Sequence, residues 1–186
     1  MTTKIIPGMI TNETEFFVVE NEVKVLHNGK VAEFSETPFP IFQLLKETIN
    51  NDPLVLEKLM DLQPVSEYKR IEQFVICRFG GLDYKGDICK DMKLQDGEYW
   101  PCPKHGNCSA EGVLCKMPEV NGNRLTSDDV KLIQLTTTDK TNEVIAEEMN
   151  LPLGTLHKMK HALYHKLGNV QTKQCVTKIA IALNII

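Results

Sequence analysis

The first third of the chain begins with short segments of β type. Residues 15–20 and 22–36 are rich in Val and Phe, which favour strands. Asn28 and Gly29 stand between two of these runs, and this dipeptide is the usual two-residue connection of a type I′ hairpin. The pattern therefore predicts a small β-hairpin near the N-terminus.

Helical spacing begins after the predicted hairpin. In residues 41–50, apolar side chains recur every three or four positions, which predicts an amphipathic helix. Asp52 and Pro53 form a helix start, with an acidic N-cap followed by proline at the first helical position. Residues 66–77 begin with a serine cap and repeat the helical spacing. We therefore predict an α+β region over residues 1–80 that binds a partner or dimerises.

The next stretch of the chain has no regular apolar pattern. Residues 80–124 contain seven glycines and four of the six cysteines. A loop of this length is uncommon inside a compact domain, so we expect something other than a hydrophobic core to hold it. We predict that residues 81–124 form a separate cysteine-rich segment stapled by a metal.

Helical periodicity returns at Leu125 and continues to the end of the chain. The first helix is capped by Thr126 or Ser127, and acids in its first turn suit the helix dipole. Three further helices are predicted over residues 140–150, 151–168 and 172–186. Residues 125–186 are therefore predicted to form a four-helix unit with a tight turn between its second and third helices.

Composition places the chain among folded, water-soluble proteins. It has 186 residues, of which 42% are hydrophobic and 25% charged. No run of 18 apolar residues is present, and we expect no membrane segment and no signal peptide. The expected location is the cytoplasm, where thiols stay reduced, and this favours metal binding over disulfides for the cysteines.

Charge limits the kind of nucleic-acid contact that the chain can make. The formal net charge is −4, yet residues 125–186 carry seven lysines against six acids and three of the five histidines. No strong basic field covers the whole protein, so any contact with nucleic acid must be local.

Four cysteines carry the clearest candidate chemistry. Cys89, Cys102, Cys108 and Cys115 are separated by twelve, five and six residues. Four thiolates close a tetrahedral Zn²⁺ shell, which leaves no open position for catalysis. His105 is an alternative ligand.

Other fates of these thiols stay open. An iron–sulfur cluster uses the same ligands, and the third option is free thiols or a labile disulfide. The remaining cysteines, Cys77 and Cys175, lie in apolar helical runs and are predicted to be small buried residues.

The last third of the chain resembles the LuxR-type (GerE-like) helix-turn-helix family. That family opens with Leu-Thr-x-Arg-Glu, and "LTSDD" stands at 125–129. Its Ser-Asn-Lys-Glu-Ile-Ala is matched by "TNEVIA" at 141–146. Its turn and recognition helix, Thr-Val-Lys-x-His-x-x-Asn-Ile-Tyr-x-Lys-Leu-Gly, is matched without a gap by "TLHKMKHALYHKLG" at 155–168. The closing "CVTKIAIALNII" at 175–186 is similar to the family's dimerising last helix.

The resemblance implies a set of DNA-contacting residues on the third helix of this unit. Thr155 and Lys166 coincide with the family pattern, whereas His157 replaces its usual lysine. Apolar residues at spacings of three and four face the core, which leaves Lys158, Lys160 and His161 as outward cations. The family's arginine in the opening motif is an aspartate here, and its histidine and asparagine on the recognition helix are Met and Ala.

These observations predict a DNA-binding transcriptional regulator with a structural Cys₄ metal site. Its expected partners are double-stranded DNA and a second copy of the chain. One alternative is a factor that uses the helix-turn-helix fold against RNA polymerase or another protein. A second alternative is an iron–sulfur redox-sensing regulator. No catalytic constellation is visible in the sequence, so we do not predict an enzyme.

Overall fold

The computed structural model of the protein describes residues 6–186. The chain divides into two compact units, Met1–Lys116 and Met117–Ile186. No helix in the described part of the chain is long and apolar enough to cross a membrane.

A three-stranded antiparallel sheet opens the first unit. Its strands are β1 (Thr14–Val19), β2 (Glu22–His27) and β3 (Lys30–Glu33), in the order β1-β2-β3. Asn28 and Gly29 join β2 to β3 with φ angles of 50° and 75°, as a type I′ turn requires. The predicted hairpin is therefore confirmed, and β1 extends it to a third strand.

Three helices follow the sheet: α1 (Phe39–Asn50), α2 (Pro53–Leu62) and α3 (Glu67–Arg78). The predicted helix starts are present in atomic detail. The Asp52 carboxylate accepts hydrogen bonds from the backbone N–H groups of Leu54 and Val55, and the Ser66 hydroxyl accepts one from Lys69. These caps satisfy donors that the first turn of a helix leaves unpaired.

The core of the first unit lies between the sheet and these helices, and aromatic rings form its centre. Phe16 of β1 has no exposed surface and contacts the rings of Phe34 and Phe79. All three helices contribute buried side chains to this core, among them Ile41, Leu45, Leu59, Ile71 and Val75.

The irregular segment after α3 contributes to this same core. Ile88, Ala110 and Leu114 are each at most 1% exposed and belong to the core cluster. Thr14 and Ile88 also exchange two backbone hydrogen bonds of 3.0 and 3.1 Å. The expectation that no hydrophobic core holds this segment was wrong. Its anchoring side chains are spaced too irregularly to give a periodic signal.

The second unit begins with a two-stranded ribbon and continues with four helices. The ribbon consists of β4 (Glu119–Val120) and β5 (Asn123–Arg124). The helices, which confirm the predicted four-helix pattern, are α4 (Ser127–Thr137), α5 (Asn142–Glu148), α6 (Leu153–Lys166) and α7 (Lys173–Ala182). Helix α4 packs on α7 and α5 packs on α6.

Candidate functional site

The tight turn before α6 is formed by Asn150 and the two residues that follow it. Asn150 adopts a left-handed φ of 54°, which ends α5 and reverses the chain. Pro152 is in an extended conformation at the N-cap, and its carbonyl accepts the backbone N–H groups of Thr155 and Leu156. The side chain of Thr155 is exposed at this end of the helix.

One face of α6 anchors the helix in the second unit. Leu156 and Leu163 have no exposed surface, Leu167 is buried directly after the helix, and Met159 is half-buried. These residues recur at spacings of three and four, as predicted. The opposite face is consequently presented to solvent.

Three of the six predicted DNA contacts are cationic or titratable side chains on that exposed face. His157, Lys158 and His161 are all exposed, and they lie in the first nine residues of α6. Phosphates of a duplex are reached by side chains of this kind when a helix end enters the groove.

Lys160 and Lys166 make contacts within the unit. The Lys160 ammonium donates to Asn142 Oδ1 at 2.8 Å, and burial lowers the pKa of this lysine, helped by the charge of Lys173. Lys166 Nζ lies 2.6 Å from Asp129 Oδ2 in the first turn of α4. These two lysines therefore tie α6 to α5 and α4.

Three acids of the neighbouring helix α5 are exposed, and one of them interacts with a residue of α6. Glu143, Glu147 and Glu148 of α5 are exposed, and His157 contributes to the electrostatic field at the Glu143 carboxylate. The backbone and side-chain hydrogen bonds at the start of α5 are the larger reasons why the pKa of Glu143 is lowered. The cationic surface is thus small and locally bounded.

The last helix buries one row of apolar side chains and leaves one large apolar side chain exposed. Val176 and Ala180 of α7 have no exposed surface, while Ile179 and Leu183 are half-buried. Ile181 is 59% exposed, which leaves an apolar side chain available to a partner.

In the first unit, three of the predicted metal ligands line one cavity. Cys102, Cys108 and Cys115 surround a space of about 270 Å³ together with Cys77 of α3. Burial raises the pKa of Cys77 to about 11, and the nearby thiols of the other three cysteines add to this effect. Burial also raises the pKa of Cys115.

Cys89, the fourth predicted ligand, lies elsewhere in the unit. Its Sγ accepts a hydrogen bond from Gln95 Nε2 at 2.9 Å, and its backbone N–H bonds to the carbonyl of Lys93. It does not line the cavity. The structure therefore groups Cys77, and not Cys89, with the other three thiols.

His105 also lines the cavity, but both of its ring nitrogens have partners. Nδ1 lies 2.8 Å from Glu111 Oε1, and Nε2 lies 3.0 Å from the carbonyl oxygen of Trp100. The ring stacks on Tyr99 with the centroids 5.2 Å apart. A metal would have to displace one of these contacts before it could bind this histidine.

The cysteine sulfurs are not gathered into a closed shell. A tetrahedral Zn²⁺ site with bonds of about 2.3 Å places its sulfurs about 3.8 Å apart. Among the described residues, the metal-type donors that all lie within 4.8 Å of one another are three carboxylates, those of Glu15, Asp83 and Glu98. The donor types around the cavity suit zinc, and binding would require their sulfurs to converge.

Comparison with known proteins found no matching family model, no matching curated protein and no matching solved structure. The interpretation of α6 and of the cysteine cavity therefore depends on the residues and their geometry.

One candidate ligand was missed by reasoning from the sequence. Cys77 lies in the apolar run "FVIC", which predicts a buried side chain, and it is 9% exposed. Its distance in sequence from Cys102 gave no metal-ligand spacing to detect. Only the packing of α3 against the irregular segment brings these thiols to one cavity.

Proposed function

We propose that the protein is a DNA-binding transcriptional regulator that docks α6 in the major groove. The observation that carries the proposal is the exposed group of His157, Lys158 and His161 on a helix whose other face is anchored in a four-helix unit. A helix of 14 residues is about 21 Å long, which is sufficient to lie in the groove and reach phosphates on its rim.

The roles of the six candidate contacts differ under this proposal. Lys158 and the two histidines contact phosphate or base edges directly, and Thr155 contributes a hydroxyl near the helix start. Lys160 and Lys166 hold the recognition helix in place, because each already has a partner within the unit. Apolar side chains of α7, with Ile181 exposed, form the contact of a homodimer.

The cysteine cavity is the structural metal site of the proposed regulator. Cysteine sulfur binds Zn²⁺ or an iron–sulfur cluster in preference to hard cations, and four cysteines, which would lose their protons on binding, line the cavity. Bound zinc would stabilise the irregular segment, since metal binding supplies folding free energy to such loops. A cluster in the same place would make the protein a redox-sensing regulator, and its visible absorption would distinguish the two.

Binding to duplex DNA of random sequence tests the proposal most directly. Wild-type protein should bind, and its affinity should fall with salt at a log–log slope of roughly −0.9 for each phosphate neutralised. Lys158→Ala should weaken binding to all duplexes and make the slope shallower by about 0.9. Lys178→Ala is the matched control, because Lys178 is an exposed lysine on α7 of the same unit. Sedimentation of the same samples gives the oligomeric state.

Failure to bind duplex DNA would favour a protein-interaction factor. The exposed Glu143 of α5, whose carboxylate interacts with the charge of His157 on α6, is the observation that supports this second function, since an acid there would repel phosphates and attract a basic protein surface. If wild-type protein does not bind duplex DNA at low salt, or if both lysine variants lose affinity equally, the recognition-helix assignment fails. RNA polymerase is then the first partner to test.

A further inference from the structure

Carboxyl groups from three separate parts of the first unit meet beside β1. Glu15 is in β1, Asp83 follows α3, and Glu98 lies fifteen residues later in the irregular segment. One oxygen from each of these three side chains lies within 4.8 Å of the other two. Asp87 is a buried neighbour whose charge interacts with that of Glu15.

Backbone amides hold these carboxyl groups in place. Glu15 Oε1 accepts the N–H of Asp83 at 2.9 Å, and Glu98 Oε1 accepts the N–H of Gly81 at 2.7 Å. Asp83 Oδ1 accepts the N–H of Lys85. Each carboxylate therefore uses one oxygen to accept a backbone N–H, and the Asp83 and Glu98 carboxyl groups also lie within hydrogen-bonding reach of each other.

The second oxygen of Glu15 is the decisive feature. Glu15 has no exposed surface, and its Oε2 has no hydrogen-bond partner among the described residues. A buried carboxylate oxygen without a partner is costly, since it gives up its hydration without a compensating hydrogen bond. An oxygen of this carboxylate is also among the donor atoms that converge with Asp83 and Glu98.

Among the described residues, no side-chain cation balances this concentration of negative charge. No ion pair formed within residues 6–186 includes Glu15, Asp83, Asp87 or Glu98. Burial raises the pKa of both Glu15 and Glu98 to about 8, and neighbouring carboxylates add to the shift. The arrangement therefore requires either bound protons or a bound cation.

We propose that Glu15, Asp83 and Glu98 form a binding site for a hard divalent cation, with Ca²⁺ as the preferred ion. Carboxylate oxygens are the ligands that Ca²⁺ and Mg²⁺ select, whereas thiolates bind these ions poorly. Three carboxylates offer three oxygens that accept no backbone hydrogen bond, and the other three can each accept a second contact, so together they approach the six to eight oxygens that Ca²⁺ takes. Mg²⁺ demands near-ideal octahedral geometry, whereas Ca²⁺ accepts irregular arrangements such as three carboxylates held by backbone hydrogen bonds.

Cation binding at this position would connect the sheet to the irregular segment. Asp83 and Glu98 both lie in that segment, and Glu98 is followed two residues later by Trp100 of the cysteine cavity. The site is distinct from both α6 and the cysteines, so it does not depend on the proposed DNA-binding function.

The full-length protein in buffer freed of divalent cations is suitable for the test. Isothermal titration calorimetry and thermal unfolding are each measured with Ca²⁺ and with Mg²⁺, up to about 10 mM, above the weakest calcium affinities of protein sites. Wild-type protein should bind one Ca²⁺ with measurable heat, and its Tm should rise with Ca²⁺ concentration. Mg²⁺ should bind at least about tenfold more weakly.

Three variants make the result specific. Glu15→Gln should abolish the Ca²⁺-dependent increase in Tm, because the neutral amide cannot supply the negative charge that the cation requires. Asp83→Asn should weaken Ca²⁺ binding at least about tenfold and serves if Glu15→Gln does not fold. Glu57→Gln, an exposed acid of α2 with the same change in net charge, should behave like wild type.

Two outcomes would overturn the proposal. One is wild-type protein that shows neither heat nor a Tm shift with either cation, in which case shared protons compensate the carboxylates. The other is Ca²⁺ binding that survives in both Glu15→Gln and Asp83→Asn. Neither outcome bears on duplex binding by α6, so the two proposals fail independently.

Discussion

Asp129 connects the first turn of α4 to the end of α6, and its replacement should destabilise the second unit. The side chain is 8% exposed and completes a capping box, in which its carboxylate accepts the backbone N–H of Thr126 at 2.9 Å. The same Oδ2 atom lies 2.6 Å from Lys166 Nζ. Asp129→Ala removes both interactions and leaves the Lys166 ammonium without this partner.

The expected cost can be estimated from the two interactions. Loss of a helix cap costs about 1 kcal/mol, and a hydrogen bond to a charged group contributes about 1.5–3 kcal/mol. The ammonium of Lys166 is one-third exposed, so solvent screening reduces the second contribution. We therefore expect a loss of about 2–3 kcal/mol in the free energy of unfolding of the second unit.

Hydrogen exchange in the full-length protein is the appropriate assay, because it reports on each unit separately. Protected amides of α4 and α6 should exchange about 30- to 150-fold faster in Asp129→Ala, since about 1.4 kcal/mol corresponds to a factor of ten. Amides of α1 to α3 should be unaffected. The control is Asp128→Ala, which removes an exposed acid from the same turn and should cost less than about 1 kcal/mol.

The pH dependence adds a second test with a defined sign. Burial acts to raise the pKa of Asp129, but the hydrogen bonds from Lys166 and Thr126 outweigh it and lower the pKa below its ordinary value of 3.8. The folded unit therefore binds the proton less readily than the unfolded chain. The stabilisation by the ionised Asp129 carboxylate is present above pH 3.8 and is lost as pH falls through the folded-state pKa. This pH dependence of stability should be missing in Asp129→Ala.

Equal exchange rates in Asp129→Ala and Asp128→Ala would refute this reasoning. So would a double-mutant cycle with Lys166→Met that shows no coupling, since residues in one buried network should couple by about 0.5–3 kcal/mol. Lys166 would then be free to act as a phosphate contact, as its place in the sequence pattern suggests.

Two further predictions concern the first unit. A Cβ at Gly80 would lie 2.3 Å from Trp100 Cε2, so Gly80→Ala should lower the free energy of unfolding by about 1–3 kcal/mol in chemical denaturation. The control is Gly154→Ala in α6, where the glycine has open space around it, and this change should raise the free energy of unfolding slightly. Elemental analysis of anaerobically purified protein should show a zinc content that falls in Cys77→Ser and is unchanged in Cys89→Ser. An equal loss of zinc in both variants would contradict the grouping of Cys77, rather than Cys89, with the other three thiols.

Much of the local structure follows from interactions between residues close in sequence. The hairpin turn at Asn28 and Gly29 depends on their tolerance of positive φ, and the caps at Asp52, Ser66 and Thr126 depend on side chains that reach two or three residues along the chain. Such contacts are encoded within a few positions, so the residue types alone predict them. The four-helix order of the second unit was predicted for the same reason.

The carboxylate cluster and the cysteine cavity were both formed by contacts between residues far apart in sequence. Asp83 donates its backbone N–H to Glu15, 68 positions earlier, and Cys77 shares a cavity with Cys102 although no spacing rule relates them. A strand pattern predicts which side chains of β1 point to each face of the sheet. It does not predict that the chain after α3 will cover Glu15 and bury it. Packing of the irregular segment against the sheet determines that burial, and with it the grouping of carboxylates and thiols, because burial and proximity depend on the path of the whole chain.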